Sequence, residues 1–207
     1  MSLLRAFIAI DLSDETHHAI QDQAGRLRRS LGEDLVRWIP VSNIHLTLKF
    51  LGDIPDTHLD FLKQMLAQEV EAYSGFEMQV GGLGAFPSVK RPRVLWIGLH
   101  APAALTSIQR AVESGTARLG YEQEARAFSP HLTIGRVRQN ASPDDLHKIR
   151  VELESQQLGN IATSRVDSVQ LFKSELQPGG AVYSRLFSAK LKPAPDAHSV
   201  ISKRGDS

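Results

Sequence analysis

The chain has 207 residues, of which 42% are hydrophobic, and its formal net charge is +1. This length and apolar content support one large domain or two compact lobes, whereas the near-neutral charge argues against a protein that coats nucleic acid through a broad basic surface. The absence of cysteine excludes disulfides and thiolate nucleophiles. No stretch approaches the roughly 20 apolar residues that span a bilayer, so we expect a cytoplasmic protein with no membrane partner.

The first half of the chain predicts alternating strands and helices. A strand over residues 5–12 precedes an amphipathic helix over residues 15–31, whose apolar residues recur at helical spacing: Ile20, Ala24, Leu27 and Leu31. Gly32 ends this helix. Strands follow over residues 35–39 and 44–51 on either side of a turn, and a second helix covers residues 57–72.

The second half predicts a similar alternation and then a hairpin. Strands over residues 76–83 and 94–99 flank a loop rich in Gly and Pro at 84–92, and a helix covers residues 103–119. A strand over 128–137 and a helix over 143–154 follow. Residues 161–173 and 181–192 predict a long antiparallel hairpin that turns at 177–180. The hairpin favours an α+β class over a parallel sheet. We expect a single bilobal domain over residues 1–192 and a disordered tail over 193–207.

The tripeptide His-Leu-Thr occurs twice, at residues 45–47 and 131–133, and each copy lies in a predicted strand. Side chains alternate between the two faces of a strand, so each histidine shares a face with the threonine of its own copy, while the leucine points to the core. One such motif carries little information, since strand histidines are usually structural or exposed. Two copies in the same context indicate two imidazoles that face one cleft. Such a pair suits phosphodiester chemistry, because one imidazole can accept a proton while the other donates one.

The segments 44–50 and 131–136 resemble the paired HxTx motifs of the 2H phosphoesterase superfamily. More closely, they resemble its branch of RNA 2′,3′-cyclic phosphodiesterases, also known as bacterial and archaeal 2′-5′ RNA ligases. The resemblance extends over about residues 5–191 and includes further segments: 5–10, 38–40, 86–87, 91–98, 171–174 and Tyr183. It implies a bilobal, pseudo-symmetric α+β fold, in which two antiparallel sheets flanked by helices form a central groove. It also implies chemistry without a metal or another cofactor.

The resemblance implies catalytic roles for His45 and His131, and we assign His45 as general acid and His131 as general base. The hydroxyls of Thr47 and Thr133 and the guanidinium of Arg136 would stabilise the charge of the transition state. Strict alternation places Arg136 on the face opposite to His131, so we expect a twist or bulge at Gly135 to realign them.

Other residues receive weaker functional predictions. Phe50 stands at the offset of Arg136 in the first motif and would either stack a nucleobase or join the core. Four basic residues are candidates for steering RNA or ordinary surface charges: Lys49, Lys90, Arg91 and Arg93. The remaining histidines lack metal-ligand spacing and are expected to be surface residues.

The predicted reaction is hydrolysis of RNA 2′,3′-cyclic phosphate ends to 2′-phosphates. Because ring opening is reversible, attack on the cyclic phosphate by a 5′-hydroxyl in place of water would form a 2′-5′ linkage. We expect a monomer that binds RNA or an oligonucleotide, without ATP, since the chain contains no phosphate-binding loop motif. Two alternatives remain open. One is a phosphodiesterase acting on small cyclic nucleotides or 2′-5′ oligoadenylates, and the other is a non-catalytic module that binds RNA ends.

Overall fold

The computed structural model describes residues 2–178 and 180–194, so Gly179 of the predicted turn and residues 195–207 of the predicted tail lie outside the described residues. The helices are α1 (Asp14–Leu31), α2 (Leu59–Val70), α3 (Ala103–Arg118) and α4 (Pro143–Ser155). The strands are β1 (Leu3–Ile10), β2 (Val36–Trp38), β3 (Leu46–Pro55), β4 (Phe76–Ser88), β5 (Arg91–His100), β6 (His131–Val137), β7 (Asn160–Val166), β8 (Ser168–Gln177) and β9 (Gly180–Lys190).

Local sequence explains where α1 and α4 begin. The hydroxyl of Ser13 accepts a hydrogen bond from the backbone N–H of Thr16 and caps α1. Ser142 and Asp145 form a capping box at the start of α4. Each helix buries one apolar stripe against a sheet. In the described part of the chain, no helix is long and apolar enough to cross a membrane.

The strands form two antiparallel sheets. The four-stranded sheet has the order β3-β1-β8-β9, and the five-stranded sheet has the order β2-β6-β5-β4-β7. Helices α2 and α3 pack against the first sheet, whereas α1 and α4 pack against the second. Within the described residues no α-helix packs on the other face of either sheet, and the two motif strands β3 and β6 approach each other between the sheets. The predicted α+β fold with helix-flanked antiparallel sheets around a groove is confirmed.

The two sheets do not correspond to the two halves of the sequence. The C-terminal strands β8 and β9 complete the sheet that contains β1 and β3, and the N-terminal strand β2 pairs with β6 in the other sheet. Each sheet therefore contains strands from both halves of the chain. The two halves of the sequence, whose strands and helices alternate in a similar way, therefore do not form one sheet each.

Two predicted elements differ from the structure. The loop predicted over residues 84–92 is a hairpin, because β4 continues to Ser88 and β5 begins at Arg91. Gly84 in this hairpin allows the Trp96 indole to pack directly against the β4 backbone, since a Cβ at this position would lie 2.2 Å from the indole. The single strand predicted over residues 161–173 is two strands in different sheets, which separate at Asp167.

Lys49 lies on the helix-covered face of β3 and is only 6% exposed, so it cannot steer RNA as a surface charge. Its Nζ lies 2.8 Å from Oε2 of Glu113 on α3, and it also donates to the carbonyl of Glu122. Glu113 accepts a further bond from the backbone N–H of Glu124. This buried ion pair ties the first motif strand to the segment that leads into the second.

We expect Glu113→Gln to lower the free energy of unfolding by about 3 kcal/mol, because the substitution leaves the buried Lys49 ammonium without its counter-charge. Urea denaturation at pH 7 measures this loss. The matched control is Glu154→Gln, which removes a half-exposed i,i+4 pair with Arg150 and costs less than about 0.5 kcal/mol. Equal losses in the two variants would contradict a structural role for the Lys49 pair.

Candidate active site

His45 lies directly before β3, after a short 3-10 turn over Val41–Asn43. Its Nδ1 is 2.9 Å from the carbonyl oxygen of Asn43. A carbonyl only accepts hydrogen bonds, so Nδ1 carries the proton of the neutral ring. The Nε2 atom consequently retains the lone pair and is the nitrogen that is free to exchange a proton with a ligand.

His131 begins β6 and repeats this arrangement. Its Nδ1 lies 2.7 Å from the carbonyl oxygen of Ser129, again two residues earlier in the chain. The same tautomer follows, with Nε2 as the basic nitrogen. The two copies of the tripeptide thus present imidazoles in the same tautomer from two different sheets.

The rings around His45 form an aromatic cluster. The imidazole stacks on Phe7 with ring centroids 4.7 Å apart, and Tyr183 meets it edge-on at 5.3 Å. Phe172 lies beside both His45 and Phe7. Burial among these rings disfavours the charged imidazolium and lowers the pKa of His45 to about 4. The ring is therefore neutral in the ligand-free protein at pH 7.

His131 has a different aromatic environment. The ring of Phe86 meets its imidazole edge-on, with centroids 4.8 Å apart. Trp96 lies on the same face of the sheet and packs against Phe86 at 5.5 Å. Aromatic rings thus flank His131 on the β5 side of its strand.

The two threonines share the helix-free faces with the histidines. Thr47 pairs with Ala9 of β1 and so lies on the face that carries Phe7. Thr133 pairs with Trp96 of β5, and His131 pairs with Gly98 on the same face. Both hydroxyl-bearing residues are half-buried. The structure therefore places each threonine next to the histidine of its own motif.

A bulge brings Arg136 to the face of His131. In the β5–β6 register, Trp96 pairs with Thr133 and Leu95 pairs with Gly135, so Ile134 is an extra residue. Its side chain is fully buried. The realignment predicted from the sequence is present, although the extra residue is Ile134 rather than Gly135.

The first motif strand contains the equivalent bulge at Leu48, between the pairs Thr47–Ala9 and Lys49–Ile8. This shift turns Lys49 to the helix side and Phe50 to the groove side. Phe50 is 70% exposed and lies 6.3 Å from Phe7, so it is not a core residue. Its position corresponds to that of Arg136 in the second motif strand.

The remaining basic residues predicted to steer RNA and the other histidines differ in how far they are exposed. Three of them, Lys90, Arg91 and Arg93, are exposed around the β4–β5 turn, as a steering role requires. Two histidines predicted to be surface residues are instead half-buried and bonded. His17 donates from Nε2 to the carbonyl of Ile44, 3.0 Å away, and His58 shares a 2.9 Å hydrogen bond with a tyrosine hydroxyl.

The sequence reasoning missed the cluster around His45. Phe7, Phe172 and Tyr183 lie on three strands, β1, β8 and β9, which pair over long sequence distances. Their strand positions were evident, but a single sequence does not show which strands are neighbours. Only the register of the sheet places these three rings on one face.

The model of the 2′-5′ RNA ligase superfamily matches residues 16–178. The chain belongs to this superfamily. An RNA 2′,3′-cyclic phosphodiesterase of Methanothermobacter thermautotrophicus is 32% identical over 183 residues, which cover 87% of this chain and 95% of that protein. The protein of the same name from Aquifex aeolicus is 30% identical over 189 residues, with 89% and 95% coverage. The family predicted from the two motifs is confirmed.

Two solved structures have the same fold. The protein TT0787 of Thermus thermophilus superposes with a TM-score of 0.75 at 24% identity, covering 93% of this chain and 100% of that chain. E. coli LigT, complexed with 3′-AMP, gives a TM-score of 0.74 at 24% identity, with 92% and 99% coverage. This likeness supports the fold and the placement of two antiparallel sheets around one groove.

The lowered pKa of His45 predicts a pH-dependent stability for this member of the superfamily. In the unfolded chain the imidazole titrates near 6.5, so between about pH 6.5 and pH 4 the unfolded state binds a proton that the folded state does not. Acidification through this window therefore destabilises the fold by up to about 3 kcal/mol. Urea denaturation at pH 7 and pH 4.5 measures the loss. In His45→Asn, which cannot titrate, the loss should be smaller, and an unchanged pH dependence would refute the assignment.

Proposed function

We propose that the protein hydrolyses 2′,3′-cyclic phosphate ends of RNA to 2′-phosphates, by acid/base catalysis that uses two histidines and no metal. The observation that carries this proposal is the pair of imidazoles on helix-free sheet faces, each with Nδ1 held by the carbonyl two residues earlier. Both rings are thereby oriented and left with one nitrogen for proton transfer.

Hydrolysis forms one P–O bond and breaks another. The oxygen of water attacks phosphorus while His131 takes a proton from the water through Nε2. The bond from phosphorus to the ribose 3′ oxygen breaks, and His45 donates a proton from Nε2 to that oxygen. The product carries a 2′-phosphate and a 3′-hydroxyl. The two histidines exchange protonation states in each turnover and must be reset by solvent.

The electrostatics of His45 set a condition on this assignment. With a pKa of about 4 in the ligand-free protein, its imidazole is unprotonated at neutral pH and cannot yet act as an acid. A bound cyclic phosphate brings a negative charge next to the ring, and an opposite charge within a few ångströms favours the imidazolium. Substrate binding would therefore supply the protonated form at the moment when it is needed.

Three further groups would stabilise the transition state, in which negative charge develops on the phosphoryl oxygens. The hydroxyls of Thr47 and Thr133 can donate hydrogen bonds from the two sides of the groove. Arg136 shares the face of His131 and Thr133, and its planar guanidinium matches two phosphate oxygens at once. Phe50, exposed beside Phe7, offers a stacking surface for a base.

The names of the relatives favour this reaction over the alternatives. Both relatives described above are RNA 2′,3′-cyclic phosphodiesterases and align over most of the chain. A non-catalytic RNA-end binding module would not need two histidines with the same oriented tautomer. A 5′-hydroxyl that replaces water would open the same ring, with the 3′ oxygen leaving and taking a proton, and would form a 2′-5′ linkage; the superfamily name supports this as a second activity. We expect a monomer that uses neither ATP nor metal.

Substituting His45 or His131 by Ala should lower the rate of hydrolysis by on the order of 10²-fold or more, because each removes a positioned proton-transfer group. The assay follows a 2′,3′-cyclic-phosphate RNA oligomer in buffer with EDTA and identifies the terminus that forms. His147→Ala, an exposed position on α4, is the control and should retain full activity. Activity that disappears in EDTA and returns with a divalent ion would refute the metal-free mechanism.

Arg136→Lys tests whether the guanidinium binds the scissile phosphate. The substitution keeps the positive charge but loses the planar fork, so we expect about a tenfold or greater loss of kcat/KM with unchanged unfolding behaviour. Arg110→Lys, an exposed position on α3, is the matched control and should be silent. A fully active Arg136→Lys enzyme would remove Arg136 from the proposed site.

A further inference from the structure

Three arginines follow one another on the groove face at the outer edge of the five-stranded sheet. Arg37 and Arg136 are direct partners in the β2–β6 register, and both are exposed. The backbone N–H of Arg138 donates to the carbonyl of Leu35, which continues this pairing by one step. Alternation places Arg138, also exposed, on the face of Arg136. We call Arg37, Arg136 and Arg138 the arginine strip.

The close pairing of β2 with β6 depends on a glycine next to one of these arginines. Gly135 lies on the opposite face, and a Cβ at this position would lie 2.5 Å from Cγ1 of Val36. The absence of a side chain lets Val36 and Trp38 pack against the strand. The register that places Arg37 opposite Arg136 is therefore held by contacts on the buried face.

The positive charges of the strip are not compensated within the described residues. Like charges directly opposite each other destabilise a sheet. Across residues 2–178 and 180–194, no carboxylate forms an ion pair with any of the three guanidinium groups. Glu33 lies beside the strip, but its carboxylate pairs with Arg28, and only its backbone carbonyl approaches Arg138, at 3.5 Å. An anionic ligand would relieve this repulsion.

The sheet order places basic residues on one side of β6 and aromatic residues on the other. Strand β2 lies outside β6 at the edge of the sheet, so Arg37 is one strand further from the centre than Arg136, or about 4.8 Å. On the other side of β6, Trp96 and Phe86 present aromatic rings. One side of the His131 strand is therefore basic and the other aromatic. A nucleotide chain has the same division, with phosphates along one side and bases along the other.

We propose that Arg37 and Arg138 bind the internucleotide phosphates on the 5′ side of the cyclic end, so that the preferred substrate is an RNA oligomer rather than a mononucleotide. This inference rests on the proposed function, in which Arg136 contacts the terminal phosphate. In this arrangement the RNA leaves the groove past Arg37 on β2, and Arg138, two residues after Arg136, binds a further phosphate. Because the net charge of the whole protein is only +1, the attraction is local to this edge.

The experiment compares kcat/KM for adenosine 2′,3′-cyclic monophosphate with kcat/KM for a tetraadenylate that ends in a 2′,3′-cyclic phosphate. The wild-type protein should prefer the tetranucleotide. Arg37→Gln should lower this preference about tenfold, since it removes a charge-assisted contact that only the longer substrate makes. The slope of log kcat/KM against log salt for the tetranucleotide should also become shallower by about 0.7, the loss of one phosphate contact on a single strand.

Arg37→Lys should restore part of the preference and of the salt slope, because it retains the charge. Arg110→Gln, on the exposed side of α3, should alter neither quantity. If Arg37→Gln slows both substrates by the same factor, or changes neither, the strip does not read the RNA chain and the proposal is overturned. Circular dichroism of each variant verifies that the fold is kept.

Failure of the proposed function has a different signature, in which the wild-type protein opens neither substrate. The strip is then tested by binding alone, with a tetraadenylate that carries a 2′-phosphate end. A weaker Kd and a shallower salt slope in Arg37→Gln would support the strip even without turnover. An unchanged Kd and slope would overturn it.

Discussion

The site depends on one backbone irregularity that both motif strands share. In each strand the residue after the threonine, Leu48 or Ile134, is an extra residue in the register and lies buried in the core. A strand without it would place the residue three positions after the threonine on the helix side. The bulge turns that residue, Phe50 or Arg136, toward the groove. The apolar side chain of the extra residue, Leu48 or Ile134, packs in the core. The same bulge thus exposes an aromatic ring, Phe50, on one sheet and a guanidinium, Arg136, on the other.

The two imidazoles are oriented alike but lie in different surroundings, and in the proposed mechanism this difference would decide which ring acts as the acid. Both rings donate from Nδ1 to the carbonyl two residues earlier. His45 is packed among Phe7, Phe172 and Tyr183, which lowers its pKa to about 4, so its charged form depends on an anion in the groove. A ring that holds its proton only beside the substrate phosphate would donate that proton where negative charge develops on the leaving oxygen. Such coupling would reconcile a neutral His45 imidazole with its proposed role as general acid.

The positions of the strands, helices and two tripeptides could be predicted from the sequence more reliably than the side-chain faces of the strands and the pairing between strands. Alternation correctly places Thr47 with His45 and Thr133 with His131, because these pairs precede the bulges. It fails from the bulge onward, which is why Lys49 was expected at the surface and is buried against Glu113. The ring cluster and the exchange of strands between the sheets were beyond reach, since pairing between β1 and β8 joins residues from opposite ends of the chain. Local pattern determines where a strand is, whereas global packing determines what lies beside it.

This long-range assembly explains why the residues outside the motifs matter for the groove. Lys49 follows the first motif and reaches Glu113 and the backbone of Glu122, so the segment leading to His131 is tied to the strand that follows His45. On the other sheet, β2 comes from the N-terminal half and places Arg37 opposite Arg136. Each histidine is thus flanked by groups from a distant part of the sequence, and neither lobe can build its part of the groove alone. These cross-connections bring distant parts of the sequence together around the groove, at the Lys49–Glu113 ion pair and at the Arg37–Arg136 pair.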